Sequence, residues 1–157
     1  MSLSSLQKIQ LSKAVGAAEV AQASTGCPVE LSVAQWALES GWGLRQPGNN
    51  CFGIKIFPGC CGVQFIDTWE VENGKKVCKR LAFSTFPQLS DCFKTHGELI
   101  AKGFAYRKSF ADYAETKDIF KLIVSIAKVY ATDPDYASKL INILSMSDVQ
   151  SALGSKV

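Results

Sequence analysis

The sequence contains a single histidine, His96, and this scarcity excludes a metal site built from several histidine ligands. It contains no apolar run near the roughly 20 residues that a membrane-spanning helix requires. Its net charge of +3 is too small for the concentrated basic surface of a nucleic-acid-binding protein. These absences predict no metal, no cofactor, no nucleic-acid partner and no membrane span.

The first residues, Met1-Ser2-Leu3-Ser4-Ser5, also lack the pattern of a secretion signal. Such a signal has a basic region followed by a continuous apolar segment. An exported protein with this sequence would use another route or would have lost its signal, and the sequence leaves both alternatives open.

Cysteine, in contrast, is abundant for a chain of 157 residues. The six cysteines are Cys27, Cys51, Cys60, Cys61, Cys78 and Cys92. Their even number favours disulfides in an oxidising compartment, with the pairing left open. A zinc site is the competing interpretation, but it would need two pairs of closely spaced cysteines, which the adjacent Cys60 and Cys61 do not provide.

The chain length and the hydrophobic content of 47% fit one domain with its own core. Helical periodicity predicts a first helix over residues 5–24 that ends at Gly26, and a second that begins at Pro28 and ends at Gly41. The other predicted helices cover residues 86–102, part of 104–114, a segment after a Thr116 cap, a segment from Pro134 after Thr132 or Asp133, and a final turn after Ser147.

The strongest β-signal is Asn73-Gly74, the favoured pair for a type I′ hairpin turn, between residues 63–72 and 75–83. In this register Glu70 lies opposite Val77 on a mostly polar face. Trp69 lies opposite Cys78 on an apolar face, where we expect it to be structural. The predicted fold is α+β and mainly α: a helical lobe (residues 4–52 and 84–146), an inserted β-hairpin lobe (about residues 53–83) and a tail (147–157).

One carboxyl group stands out in the stretch Ala34-Gln35-Trp36-Ala37-Leu38-Glu39-Ser40-Gly41-Trp42-Gly43. Glu39 lies in the last turn of the second predicted helix, where the helix dipole is negative. Trp36 is one turn earlier, and Trp42 follows in the turn. A carboxyl group held against indole rings at that end of a helix should have a raised pKa. We therefore predict that Glu39 is a catalytic acid and that a groove is built over it.

Three groups of residues give the chain a family resemblance. Leu38-Glu39-Ser40-Gly41-Trp42-Gly43 with Asn50-Cys51-Phe52-Gly53-Ile54-Lys55 comes first, then Thr68-Trp69-Glu70-Val71-Glu72-Asn73-Gly74, then Tyr130-Ala131-Thr132-Asp133-Pro134-Asp135-Tyr136-Ala137-Ser138-Lys139-Leu140. In this order they resemble the N-acetylglucosaminidases of glycoside hydrolase family 73, over about residues 4–144. The resemblance implies a lysozyme-like fold and hydrolysis of the β-1,4 bond after N-acetylglucosamine in peptidoglycan.

The resemblance also implies catalytic roles. Glu39 matches the family's general acid, Glu70 its second carboxylate on the hairpin, and Tyr130 the tyrosine that lines the cleavage subsite. Glycosidic cleavage needs one protonated carboxyl group and usually one ionised carboxylate, and a hairpin arm can close over the substrate. Assistance by the substrate's own N-acetyl group would give Glu70 a supporting role. Asp67 and Glu72 compete with Glu70 for the second position.

Substrate contacts are predicted at Trp42, Asn50, Phe52, Lys55 and Tyr136, with Arg45 as a further candidate. Aromatic rings suit the apolar faces of sugars, although Trp42 and Phe52 also fit a hinge core between the lobes. Tyr130 and Tyr136 also fit buried helix positions. His96, within a helix, is expected to be non-catalytic.

Cysteine marks the departures from the family pattern, which more often has a larger apolar or aromatic residue at position 51 and rarely an adjacent pair like Cys60-Cys61. We predict at least one disulfide that ties the β-lobe and restricts its closure over the substrate.

The predicted protein is a monomeric hydrolase of peptidoglycan strands in the cell envelope, either periplasmic or secreted. Three alternatives stay open: cleavage as an N-acetylmuramidase, a non-catalytic module that binds cell-wall glycan, and a disulfide-rich scaffold whose groove binds a protein partner.

Overall fold

The computed structural model describes residues 2–154, so Met1 and the last three residues of the predicted tail lie outside it. The helices in this range are α1 (Ser5–Thr25), α2 (Val29–Ser40), α3 (Leu89–Ala101), α4 (Arg107–Thr116), α5 (Ile119–Tyr130), α6 (Tyr136–Leu144) and α7 (Ser147–Leu153). The strands are β1 (Gly62–Glu72) and β2 (Lys75–Thr85), which form an antiparallel two-stranded sheet. The predicted mainly helical α+β fold with one inserted hairpin is therefore confirmed. None of the helices between residues 2 and 154 is both long and apolar enough to cross a bilayer.

Helix α2 is the centre of the helical body. Every residue from 31 to 37 is buried, and the helix packs against α1, α5 and α6. The connection from α1 to α2 is short because Gly26 ends α1 in a left-handed conformation (φ 79°). The Val29 N–H at the start of α2 donates to Gln22 Oε1 of α1 at 2.9 Å. A helix packed on all sides holds the residues at its end in a fixed position, and Glu39 is one of them.

Three helix starts differ from the prediction. Helix α3 begins at Leu89, where Gln88 and Asp91 form a reciprocal cap. The cap of α5 is Asp118, whose side chain accepts from two backbone N–H groups, whereas Thr116 is the last residue of α4. Helix α6 begins at Tyr136, so Pro134 lies in the preceding turn. In each case a nearby polar side chain or proline offers a cap of similar quality, so the periodicity alone does not fix the boundary.

The hairpin has the predicted register but the opposite orientation of its faces. Asn73 and Gly74 both have positive φ (50° and 75°), as a type I′ turn requires, and Glu70 pairs with Val77. The apolar face, however, points to solvent: Phe65 is 61% exposed and Trp69 70% exposed. The expectation that Trp69 packs inside the lobe is wrong, because a two-stranded sheet has no second layer to cover that face. The polar face is the one turned toward the body, with Gln64, Ile66 and Thr68 half-buried.

The hairpin is attached to the body at its root. Asn50 is 5% exposed, and its side-chain nitrogen donates to the carbonyl oxygens of Ile54 and Ser84, each at 2.9 Å. Its side-chain oxygen accepts from the Ile54 N–H at 3.0 Å. The Ser84 N–H completes the junction by donating to the Ile54 carbonyl at 3.0 Å. An isolated β-bridge between Lys55 and Phe83 adds to this junction.

Candidate active site

Glu39 is the penultimate residue of α2, next to an unusual turn. Three consecutive residues, Gly41, Trp42 and Gly43, have positive φ (58°, 61° and 80°). The two outer positions suit glycine, whereas the conformation costs a residue such as Trp42 about 1–2 kcal/mol. A Cβ atom on Gly43 would lie 2.9 Å from Cζ2 of Trp36, so this turn packs directly on the indole ring. The chain thereby leaves α2 sharply and keeps Glu39 uncovered on one side.

The carboxyl group of Glu39 is held from the protein side by Tyr136. The Tyr136 hydroxyl donates to Glu39 Oε1 at 3.1 Å, from the first residue of α6. Desolvation raises the pKa of Glu39, and the hydrogen bond from Tyr136 opposes that rise without cancelling it. The predicted direction of the shift is therefore confirmed. The cause of the rise is burial of the carboxyl group, and the opposing hydrogen bond comes from a tyrosine that the sequence argument from Trp36 and Trp42 did not consider.

Two further polar side chains extend this contact into the core. Gln35 Nε2 donates to the Tyr136 hydroxyl at 3.2 Å, and Gln35 Oε1 lies 2.9 Å from His96 Nε2. Gln35 is fully buried and His96 is 2% exposed. Burial lowers the pKa of His96 to about 3, so the imidazole is neutral at physiological pH. Sequence reasoning missed Gln35 altogether and set His96 aside. The one available signal was a polar residue inside the apolar stripe of α2.

Aromatic rings form a wall beside this chain of hydrogen bonds. Phe52 stacks on His96 with ring centres 3.7 Å apart, and Tyr130 stacks on Tyr136 at 5.5 Å. Phe52, His96 and Tyr130 also line a hollow of about 700 Å³ that Tyr106 and Leu99 help to close. This hollow is open and mostly apolar, which suits a ring-shaped ligand with polar edges.

A second hollow is lined by residues that neighbour Glu39 in sequence. It measures about 440 Å³ and is lined by Leu38, Trp42, Lys139 and Ile143 among others. Trp42 is half-buried and packs edge-on against Trp36 at 6.2 Å. Tyr130, which stacks on Tyr136, lines the first hollow, and Leu38 lines the second.

Glu70 lies on the hairpin face that turns toward the body. Lys79, across the sheet on the same face, has its ammonium 4.0 Å from Glu70 Oε2 and also pairs with Glu72. Asp67, the other predicted rival, belongs to the exposed face with Phe65. The orientation of the hairpin therefore favours Glu70 and Glu72 over Asp67 as the second carboxylate.

Two of the predicted substrate residues are engaged within the protein. Asn50 uses its side chain at the hairpin root, and Tyr136 is 4% exposed behind Glu39. Lys55 is exposed at the edge of the larger hollow, with its ammonium 3.9 Å from the centre of the Phe83 ring. Lys55, Phe52, Trp42 and Tyr130 therefore remain in positions where a ligand can reach them.

All six cysteines are free thiols in the structure. Cys60, Cys61 and Cys78 are at least partly exposed on the β-lobe side, and Cys27 is buried beside Ser32. The predicted disulfide of the β-lobe is therefore not formed here. The two sulfur atoms that do approach each other are those of Cys51 and Cys92, 3.6 Å apart and buried between the Asn50 loop and α3.

Comparison with known proteins identifies the family of this fold and site. The sequence model of the glucosaminidase family, described as mannosyl-glycoprotein endo-beta-N-acetylglucosaminidase, matches residues 15–148. The chain belongs to the glucosaminidase family. The resemblance drawn from the three sequence segments is confirmed, and the match includes Glu39, Glu70 and Tyr130.

Relatives of the family resemble the chain over most of its length. Peptidoglycan hydrolase FlgJ of Salmonella typhimurium is 32% identical over 147 residues, which cover 88% of this chain and 46% of FlgJ. Exo-glucosaminidase LytG of Bacillus subtilis is 31% identical over 124 residues, or 76% of this chain and 44% of LytG. The chain thus spans about half the length of these curated relatives. The solved glycoside hydrolase domain of Salmonella typhimurium FlgJ superimposes with a TM-score of 0.72 at 29% identity, covering 96% of this chain and 93% of that one.

Proposed function

We propose that the chain is a peptidoglycan hydrolase that cleaves the β-1,4 bond after N-acetylglucosamine, with Glu39 as the general acid. One observation supports the proposal: the carboxyl group of Glu39 has a raised pKa, accepts a hydrogen bond from Tyr136 and belongs to an exposed residue at the end of α2. A general acid must keep its proton near the working pH and must reach the leaving oxygen. The names of FlgJ and LytG, a peptidoglycan hydrolase and an exo-glucosaminidase, support the substrate and the bond.

In the proposed reaction, sugars on either side of the scissile bond occupy the two hollows. Glu39 protonates the glycosidic oxygen as the bond breaks, and Tyr130 lines the subsite where positive charge develops on the sugar ring. Glu70 approaches from the inner face of the hairpin and orients the attacking water. Because the hairpin is held mainly at its root, it closes over the substrate and opens again for release. A protein that hydrolyses peptidoglycan acts in the cell envelope or outside the cell, and we propose that location for this one.

The test compares the wild type with Glu39→Gln and Glu70→Gln in a turbidity assay on purified peptidoglycan. Glu39→Gln should lose roughly 10²- to 10⁴-fold in rate, the usual contribution of a general acid. Glu115→Gln, an exposed change on α4, is the matched control and should keep the wild-type rate. Equal rates for Glu39→Gln and the control would refute the assignment.

Two further readouts resolve the mechanism and the bond. If Glu70→Gln keeps the wild-type rate while Glu39→Gln does not, Glu70 is not the second carboxylate, and either Glu72 or the substrate's own N-acetyl group takes that role. Mass spectrometry of the fragments identifies the sugar at the reducing end. N-acetylglucosamine there supports the proposed bond, and N-acetylmuramic acid there would establish the alternative N-acetylmuramidase activity.

A further inference from the structure

The buried residues behind Glu39 form a hydrogen-bond chain with a single direction. The His96 Nε2–H donates to Gln35 Oε1 at 2.9 Å, the Gln35 amide nitrogen donates to the Tyr136 hydroxyl at 3.2 Å, and that hydroxyl donates to Glu39 Oε1 at 3.1 Å. These residues come from α3, α2 and α6, and 61 positions separate Gln35 from His96. A hydroxyl has one proton. Since Tyr136 accepts from Gln35, its own proton points to Glu39.

The histidine ring at the end of the chain is held between aromatic side chains. The imidazole of His96 lies parallel to the Phe52 ring at 3.7 Å and meets the edge of the Tyr130 ring at 6.0 Å. A buried imidazole without charge offers one N–H and one acceptor nitrogen. Because the Gln35 oxygen lies toward Nε2, the tautomer that matches this amide orientation carries its proton on Nε2. The opposite amide orientation would offer that oxygen to Tyr136 instead. The tyrosine would then donate to Gln35, and Glu39 Oε1 would lose its donor.

We propose that His96, Gln35 and Tyr136 are positioning residues that present a hydroxyl donor to Oε1 of Glu39 and leave Oε2 to carry the catalytic proton. The inference rests on the proposed function, in which Glu39 is the general acid. Because Oε1 is occupied from the protein side, the proton is held on the oxygen that faces the open groove. His96 acts at a distance from the substrate by fixing the orientation of one amide.

Few other titratable groups lie beside Glu39 and the hydrogen-bond chain behind it. Tyr130 faces it from α5, and Tyr106, Cys51 and Cys92 lie beyond Tyr130. Burial is the main cause that raises the pKa of Tyr130, so its phenol stays neutral over the working range. Within residues 2–154, none of the ion pairs includes Glu39. Lys139, which pairs with Asp133, lines the hollow beside Leu38 and Trp42, and this pair is unchanged in every variant of the test. A change in the titration of Glu39 can therefore be traced to the hydrogen-bond chain.

The experiment measures the titration of the Glu39 carboxyl carbon by NMR in the full-length protein without substrate. Tyr136→Phe removes the hydroxyl and should move the midpoint upward by roughly one pH unit, because a donor that stabilises the carboxylate is lost. His96→Leu frees the Gln35 amide and should shift the midpoint in the same direction. His96→Gln retains an N–H of similar reach and should restore the wild-type midpoint. Tyr113→Phe, a hydroxyl removed from α4, is the control and should change nothing.

A double variant separates positioning from general damage to the core. If His96 acts only through Tyr136, then Tyr136→Phe combined with His96→Leu should titrate as Tyr136→Phe alone. Additive shifts, or equal shifts in His96→Gln and His96→Leu, would overturn the proposal. If His96→Leu does not fold, as judged by its near-ultraviolet circular dichroism, Gln35→Met carries the same prediction with a smaller shift.

The enzyme assay then distinguishes the two proposals. In each variant, the pH at which kcat falls on the alkaline side should rise together with the pH midpoint of the NMR titration. An NMR shift without movement of that limb would retain the positioning role and refute Glu39 as the acid. Movement of neither would refute the positioning role and leave the proposed function to the Glu39→Gln test.

Discussion

Asn50 joins the hairpin to the helical body, and its removal should be costly. The variant Asn50→Ala deletes three short hydrogen bonds, two to the carbonyls of Ile54 and Ser84 and one from the Ile54 N–H, and a long one from the Cys92 thiol at 4.0 Å. A hydrogen bond of this kind contributes about 1 kcal/mol net, and a buried donor left without its acceptor adds to the loss. We expect the free energy of unfolding to fall by roughly 3 kcal/mol, which corresponds to a decrease in Tm of about 6–12 °C for a chain of this size.

The assay is urea unfolding followed by far-ultraviolet circular dichroism and by tryptophan fluorescence, to which Trp69 on the hairpin contributes. Asn142→Ala, an exposed asparagine on α6, is the matched control and should change stability by less than about 0.5 kcal/mol. Asn50→Asp should be worse than Asn50→Ala at neutral pH, because a carboxylate would face two carbonyl oxygens. Acid should relieve this difference by restoring a proton to donate. An Asn50→Ala variant no less stable than Asn142→Ala would refute this account of the hairpin root.

Three other perturbations follow from the packing and the charges. Gly97→Ala should destabilise the protein by about 1–3 kcal/mol, because the added methyl group would lie 2.6 Å from a threonine hydroxyl of α1. Thermal unfolding measures the effect. Gly16→Ala, where the added methyl group would have no atom within 4 Å, is the control and should be neutral or stabilising. Glu39→Gln should be more stable than the wild type at about pH 7 and equally stable at about pH 4. Because the pKa of Glu39 is raised in the folded protein, its protonation favours folding at a pH below the unfolded pKa of 4.5. That contribution is lost as the pH rises through the folded pKa. A stability difference between Glu39→Gln and the wild type that stays constant from about pH 4 to about pH 7 would contradict this prediction. On refolding in a glutathione redox buffer, which reaches the buried thiols before the fold closes, Cys51 should be linked to Cys92 more often than to any other cysteine. Peptide mapping without reductant would show this, and a prevailing link between Cys51 and a hairpin cysteine would contradict the observed sulfur distance.

Local sequence signals predicted the elements that depend on few residues. Asn73-Gly74 determined the hairpin turn and its register, because only certain residues tolerate two consecutive positive φ angles. Gly41 and the tryptophans around it located the end of α2 and, with it, Glu39. Trp69 was expected to be structural and is exposed, because alternation along a strand shows which residues share a face and not which face meets the body.

The interior of the site was harder to predict, since it depends on contacts between distant segments. The contact of Tyr136 with Glu39 spans 97 positions, and no spacing rule connects them. Gln35 lies among apolar residues, and its partner His96 lies on another helix. The family resemblance identified Glu39, Glu70 and Tyr130 by their neighbours in sequence. It offered no information about buried residues that act on Glu39 from behind.

The amide of Gln35 has a consequence for how the enzyme recovers between turnovers. A carboxamide can donate from its nitrogen and accept at its oxygen, but it does not pass a proton from one to the other without changing into its imidic acid form. The buried imidazole and Glu39 are therefore hydrogen-bonded through the chain and yet isolated for proton exchange. In the proposed reaction, the proton that Glu39 gives to the leaving sugar is therefore replaced from water in the groove and not from the buried side of the carboxyl group.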